Sequence, residues 1–393
     1  MNNPPTIAIL GAGPVGLDAA LAASEAGYPF TIYEVGEAVG THIRSWAHVR
    51  MFSPWSMNLS KRMTARLGDP PGPEGECPTG ASFISGLLEP LSEAPEIAAR
   101  LRLGTRVLAI SREGLLKSDE IGTGVRAQQP FRILVRDRKG RESVERADVV
   151  LDCTGSGLPN PLGDGGIPAP GESFLADRIE HAIPDVARAP EAWEGRSVLI
   201  VGSGHSAQTA AVALSTLRDK GTRVLWAIRG EGNSISPIPE DGLPERAKLT
   251  GRAFALATGG GTGMDLLTGC VVEGVRAENG HMEVDLRGDD GSIKTVQADR
   301  VLAMTGAVGD HAIYRQLQVH ECYATSGLMN LSAALLGETS ADCLVQSTHG
   351  VDTLRSPEPC FFVLGSKSYG SNNTFLMRTG YGQVDEVFKA LAE

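Results

Sequence analysis

Apolar positions along the chain form short continuous runs, separated by stretches with helical spacing and stretches that alternate, and one ordering of these recurs. Thr6 to Leu10 is a continuous run, Leu17 to Ala26 is Ala-rich with helical spacing, and Phe30 to Tyr33 is a second run. The same grammar returns in Arg196 to Val201, Ala207 to Leu217 and Thr222 to Ile228. Unbroken apolar runs next to helix-like segments predict strands of a parallel sheet covered on both faces. Alternating segments follow each time: Thr105 to Ile110, Phe131 to Val135 and Glu142 to Arg146 in the first half, and Val271 to Val296 in the second. These predict two small antiparallel meanders. Each meander leads into a further apolar strand that ends in Thr-Gly, at Thr154-Gly155 and again at Gly306. A Trp/Met-rich stretch, Thr41 to Met63, and a Pro/Gly loop, Gly68 to Gly80, read as insertions.

The turn between first strand and helix is glycine-rich in both copies: Gly11-Ala-Gly13-Pro14-Val-Gly16 and Gly202-Ser-Gly204-His205-Ser206-Ala207. In the first copy, Gly11 permits the tight turn, Gly13 lets backbone N–H groups approach a pyrophosphate, and Gly16 allows helix and strand to pack closely. The helix N-terminus, beginning at Pro14, faces the anion. The next strand ends in Glu34, a carboxylate placed to accept hydrogen bonds from a ribose. The second copy carries Arg229 after its strand, which suits the 2′-phosphate of NADPH, while Glu231 nearby leaves NADH open. His205, within the second loop, is a candidate pyrophosphate contact. Near the C-terminus, a strand from Cys360 to Gly365 precedes a polar loop and a helix-like Gly382 to Leu391. That arrangement completes the first domain, with N–H groups near Gly380 available to an electron-rich ring and Gln383 beside them.

The expected fold is α/β, with two Rossmann-like domains, the second inserted in the first, each with its own meander. The boundaries read as residues 1–170 and 310–393 for the outer domain and 171–309 for the inner one. A length of 393 residues suits two or three domains. A net charge of −11 argues against nucleic acid or an anionic membrane as partner. No apolar run is long enough to span a bilayer and no signal-peptide pattern opens the chain, so the expected location is cytoplasmic. Six cysteines, without a CxxC or metal-ligand spacing, read as reduced thiols and predict no metal site.

The doubled glycine loops, the two Thr-Gly strand ends and the Gly365-containing C-terminal strand and helix together resemble the two-dinucleotide-binding-domain flavoproteins. That superfamily includes glutathione and thioredoxin reductases and flavin-containing monooxygenases. The resemblance covers nearly the whole chain and implies FAD on the first unit and NADPH on the second. Arg50 to Trp55 and Gly365 to Gly370 are also similar to bacterial flavoproteins of no stated substrate.

Asn58-Leu-Ser-Lys61-Arg-Met63, with Asp69-Pro-Pro, is similar to the Asn-x-Ser-Lys-x-Met and Asp-x-Pro pattern of flavin-containing monooxygenases. In that family the Asn sits beside the isoalloxazine. The resemblance therefore implies a small-molecule substrate and O2 as partners, with one oxygen passed to a nitrogen or sulfur nucleophile through a flavin C4a-(hydro)peroxide. Asn58 would be catalytic, and Trp55 and Trp46 would shield the flavin or serve as packing anchors over the Pro-rich loop. The family's FxGxxxHxxx(Y/W) fingerprint is only echoed in Phe174 to His181, where Ala176 replaces the Gly. An NADPH-dependent reductase passing electrons to a small-molecule, disulfide or protein acceptor is the alternative, and a non-catalytic NADP-sensing flavoprotein is a third. A homodimer is the default assembly. Gly68 to Gly80, Asn233 to Thr262 and Cys322 to Val351 are expected to line or cover the active site.

Overall fold

In the computed structural model, residues 4–69, 71–73, 75–259, 264–337 and 349–393 are described. The chain divides into two compact units, Met1–Leu158 with Val308–Glu393, and Pro159–Ala307. In the outer unit five parallel strands run in the order Phe361–Val363, Val149–Asp152, Ile7–Leu10, Phe30–Tyr33, Leu101–Arg102. In the inner unit the order is Met264–Leu267, Arg223–Ala227, Ser197–Val201, Arg300–Ala303, Ile179–Glu180, again all parallel. The central strand of each sheet follows its apolar run. Ile7 to Leu10 are all buried, as a strand covered on both faces requires.

Each unit carries one three-stranded antiparallel meander, Arg106–Arg112, Phe131–Arg136 and Glu142–Ala147 in the outer, Cys270–Glu278, His281–Gly288 and Ile293–Ala298 in the inner. Both have a bulge in the first strand, at Val107/Ala109 and Val272/Gly274. The α/β architecture with two Rossmann-like sheets is therefore the one the apolar pattern predicted.

Two boundaries differ from the composition-based expectation. The inner unit begins at Pro159, not at Gly171, because Leu162 and Ala169 pack into the core beneath its meander. Their N–H groups both donate to the Glu172 carboxylate, at 3.0 and 2.7 Å. The C-terminal helix starts at Met377, five residues before Gly382. Its buried face, Thr379, Gly380, Tyr381, Gln383, Val384, Val387 and Phe388, includes a glycine that hides it from propensity rules. A Cβ on Gly380 would stand 2.6 Å from Val15 Cγ2 and 3.0 Å from Phe375 Cζ, so Gly380 serves close packing against the helix Pro14–Glu25.

The C-terminal segment is fastened by charges as well as by apolar contact. Buried Glu358 accepts from Arg112 Nε and Arg126 Nη2, both at 2.7 Å, and from the Gln318 N–H at 2.8 Å. Arg112 also lies over the Phe131 ring, 3.5 Å from its centroid. Among the described residues, no helix is long and apolar enough to cross a membrane.

Candidate functional site

The first glycine loop is shaped by three different steric demands. Gly11 has φ +93°, and a Cβ there would lie 2.8 Å from the Cys153 carbonyl oxygen at the end of the neighbouring strand. A Cβ on Gly16 would overlap the Gly11 carbonyl oxygen. Gly13 is the exception, because its Cβ would meet no protein atom within 4 Å. It lines open space in front of a helix that has Pro14 in its first turn and no side-chain cap, so the first N–H groups of that helix face outward. This cradle fits a pyrophosphate.

Buried Glu34 braces the loop. It accepts from Ala12 N–H at 2.8 Å through Oε2, and from Gly36 N–H at 2.8 Å and Thr41 Oγ1 at 3.0 Å through Oε1. An ionised carboxylate has about four acceptor sites, so one is left for a ribose hydroxyl.

Thr154, Gly155 and Gly365 come together at the carboxyl ends of the same sheet. Gly155 and Gly365 have φ +73° and +75°, and a Cβ on Gly155 would lie 3.6 Å from Ser366 Oγ. Beside them is a fully buried ion pair that the sequence reading missed. Lys367 Nζ donates to Asp152 Oδ2 at 2.6 Å, Thr154 Oγ1 at 3.2 Å and the Asp310 carbonyl at 2.6 Å. Gly309 leaves room for the lysine stem, since a Cβ there would stand 2.8 Å from Lys367 Cδ. Gln383 is a clip within the protein. Its Nε2 donates to Ser368 Oγ and its Oε1 accepts from Gly365 N–H, at 2.9 and 2.8 Å. Thr379 N–H is taken by the Leu376 carbonyl, so the helix presents its outward N–H groups before Thr379, not around Gly380.

Asp18, on the helix after the first loop, was also missed. It is buried, accepts from Ser60 Oγ and lies 3.4 Å from Arg62 Nη1, while Arg62 reaches Glu25 and Asp385 at 3.0 and 2.5 Å. Burial pushes its carboxyl up to about 6, against the lowering effects of Ser60 and Arg62.

The Asn58 stretch has a different character from the one its motif implied. Asn58 is buried and donates both amide hydrogens inward, to the Ser53 and Pro54 carbonyls at 2.9 and 3.0 Å, while its Oδ1 accepts from Ser53 Oγ at 2.7 Å. No amide N–H remains for a reacting oxygen, and the side chain acts as a brace. Its carbonyl accepts from Tyr381 Oη at 2.7 Å, tying the stretch to the C-terminal helix. Trp55 is buried against Phe83, 5.8 Å between ring centroids, and half-buried Trp46 packs over Gly80. Both make packing contacts within the outer unit. Pro70 of the Asp-x-Pro motif, Cys343, and residues 74, 260–262 and 338–348 of the segments expected to cover the site lie outside the described residues.

The second glycine loop shares two features with the first, an obstructed first glycine and an open second one. Gly202 has φ +124°, and a Cβ there would overlap the Met304 carbonyl oxygen, while a Cβ on Gly204 would meet nothing within 4 Å. His205 and exposed Ser206 open the helix His205–Ser215 over buried Ala207. The His205 pKa is pushed down by burial first and by Arg246 second, against a smaller pull from Asp241. Strand register corrects one equivalence. Ile9 pairs with Ile32 and Ile200 with Trp226, so Glu34 corresponds to Ile228, and Arg229 lies one residue further on. Ile228 is buried in place of the carboxylate, whereas Arg229 is exposed and makes no ion pair among the described residues. His181 is exposed in the inner unit.

The five described cysteines form no disulfide with one another. Burial raises the thiol pKa of Cys153 well up and that of Cys270 and Cys360 to a lesser degree, while hydrogen bonding with Thr325 lowers that of Cys322.

No curated protein is significantly similar to the chain in sequence. Among solved structures, a bacillithiol disulfide reductase from Bacillus cereus is 19% identical, with 99% of each chain covered and a TM-score of 0.72. An ornithine hydroxylase from Pseudomonas aeruginosa is 15% identical, with 98% of each chain covered and a TM-score of 0.66. The thioredoxin reductase of T. acidophilum is 15% identical, covering 99% of this chain and 98% of that one, with a TM-score of 0.60. Residues 5–322 match the family described as pyridine nucleotide-disulphide oxidoreductase, whose members are FAD- and NAD(P)H-dependent flavoproteins. By that match the chain belongs to the pyridine nucleotide-disulphide oxidoreductase family.

Proposed function

We propose that the chain is an NADPH-dependent FAD oxidoreductase in which the outer unit holds FAD, the inner unit holds NADPH, and electrons leave the flavin directly for a small-molecule acceptor. The observation that carries this reading is the contrast between the residues that follow the two glycine loops. The first loop is closed by buried Glu34, which a 2′-phosphate would be repelled by. The second is followed by Arg229, which is exposed, makes no ion pair among the described residues and would attract a 2′-phosphate. Bound over the Gly13 cradle, FAD would supply two-electron redox chemistry that couples the nicotinamide to the acceptor.

The chain's own residues provide the frame. Gly13 and Gly204 open the two cradles, and Glu34 accepts from a ribose hydroxyl while bracing Ala12. Lys367, Asp152 and Thr154 fix the carboxyl edge of the outer sheet with all three lysine hydrogens engaged. A relay through a cysteine pair is not favoured. The sequence has no close pair, and three of the five described thiols are held protonated by burial.

A second reading, monooxygenation of a nitrogen or sulfur nucleophile with O2, is favoured by the Asn58 to Met63 stretch and by Tyr381 joining it to the C-terminal helix. In that reading Asn58 holds the segment in place and does not donate to the reacting oxygen. Anaerobic titration of the purified holoprotein with NADPH and with NADH tests the common part, and NADPH is expected to bleach the flavin at lower concentration. Reoxidation by an artificial acceptor, compared with incorporation of isotopically labelled O2 into amine and thioether products, separates the two readings. A flavin that neither nucleotide bleaches refutes both.

A further inference from the structure

We infer that Trp226 is a positioning residue for the nicotinamide dinucleotide, acting through the carbonyl of Gly202. The inference rests on the reading that the inner unit holds that dinucleotide.

The two loops solve one problem in two ways. In the outer unit the Gly11 carbonyl turns toward the helix and comes to rest over Gly16, where a Cβ would overlap it. In the inner unit the residue at that place is Ala207, fully buried, whose Cβ occupies the space. The Gly202 carbonyl therefore cannot follow the path of Gly11, and the two residues differ in φ, +124° against +93°. Trp226 supplies the replacement, because its indole Nε1–H donates to the Gly202 carbonyl at 2.7 Å. Register puts Trp226 opposite Ile200 and its counterpart Ile32 opposite Ile9. Where the third loop residue is glycine, the strand residue is an isoleucine with no donor. Where it is alanine, the strand residue is a fully buried tryptophan with one.

The consequence reaches the ligand through peptide geometry. In a planar trans peptide the C=O and the following N–H point in opposite directions. Fixing the Gly202 oxygen toward Trp226 therefore aims the Ser203 N–H away from the indole. In the first loop the corresponding N–H, that of Ala12, is held by Glu34, but Ile228 stands at the Glu34 position and offers no acceptor. The next peptide is pinned as well. Gln208 Nε2 donates to the Ser203 carbonyl at 3.1 Å, whereas Leu17 occupies the same place in the outer unit. Trp226 and Gln208 thus set the two peptides whose N–H groups approach the pyrophosphate, a task divided in the first loop between Gly16 and Glu34.

The test uses the full-length holoprotein and titration calorimetry with NADP+, alongside steady-state kinetics. Trp226→Phe keeps most of the ring and removes the N–H. It is expected to weaken NADP+ binding and raise KM for NADPH by roughly three- to ten-fold, the worth of one hydrogen bond, with little change in kcat or FAD content. Ala207→Gly restores the space available over Gly16, so Trp226→Phe/Ala207→Gly is expected to regain most of the lost affinity. A merely structural role for the indole would not be rescued in that way. Gln208→Leu, which copies Leu17 of the outer unit, is an arm independent of the core and is expected to raise KM in the same direction. Unchanged affinity in Trp226→Phe, or a double variant no better than the single, overturns the inference while leaving the inner unit as the dinucleotide site. A wild-type protein that binds neither NADP+ nor NAD+ overturns both.

Discussion

Lys367→Met is the most direct probe of the frame around the outer site. In the folded chain Lys367 and Asp152 are both completely buried, and the ammonium has three donors with three acceptors, Asp152 Oδ2, Thr154 Oγ1 and the Asp310 carbonyl. Methionine fills nearly the same volume, so the packing against Gly309 is kept and the change is one of charge. It leaves the Asp152 carboxylate in the core with Thr154 as its side-chain partner among the described residues, since Thr154 N–H and Oγ1 both donate to its other oxygen. Removing one member of a buried pair costs about 3–5 kcal/mol, much more than a surface pair is worth. The stranded Asp310 carbonyl falls inside that range, because its loss and that of the ion pair are not independent. The companion Lys367→Met/Asp152→Asn removes the uncompensated charge and is expected to recover about half of the loss or more. Urea denaturation of the holoprotein, followed both by tryptophan fluorescence and by release of flavin fluorescence, measures each variant. A loss below about 1 kcal/mol in the single variant, or a double variant as unstable as the single, would refute the view that this pair carries a buried charge balance.

Three further outcomes follow from the geometry. Asp18 titrates near 6 when folded and near 4 when unfolded, so its ionisation opposes folding: the penalty is absent below about pH 4, grows as pH rises, and is complete above about pH 6. Asp18→Asn is expected to flatten that dependence and to raise stability at neutral pH by about 1–3 kcal/mol, read from thermal melts at pH 5 and pH 7.5; a variant with the wild-type slope sinks the assignment. Gly16→Ala forces a Cβ into the Gly11 carbonyl, and the purified protein is expected to lose FAD, checked by its visible absorbance; full flavin retention contradicts the loop geometry. Arg229→Ala is expected to raise KM for NADPH about ten-fold or more and to leave KM for NADH nearly unchanged, a comparison that fails if both rise together.

How much of this was legible in the sequence depended on how local its cause was. Gly11, Gly13 and Gly16 could be read because each is demanded by atoms in or beside a single turn, and the apolar runs gave both parallel sheets for the same reason. The Glu34 and Arg229 contrast was visible, but its alignment needed strand register, which shifts Arg229 one place beyond the carboxylate position. Asn58 matched a motif, yet the motif cannot say where an amide points, and here Ser53 and Pro54 take its hydrogens. Lys367 and Trp226 left no signal, since the partner of one is 215 residues away and that of the other is a carbonyl whose direction depends on Ala207. The start of the C-terminal helix was hidden by Gly380 and Gly382, which a packed helix tolerates and an isolated one would not.

The outer unit is discontinuous, and that has a consequence for the order in which the protein can be made. Asp152, Arg112 and Arg126 are synthesised in the first half of the chain, but Lys367 and Glu358 follow more than 200 residues later, at separations of 215, 246 and 232. Until they emerge from the ribosome the outer sheet lacks the strand Phe361–Val363, and these three charges cannot be buried without a large desolvation cost. The inner unit is continuous from Pro159 to Ala307 and does not depend on later sequence in this way. During synthesis it is therefore the inner unit that completes first, while the N-terminal half waits open for its closing segment.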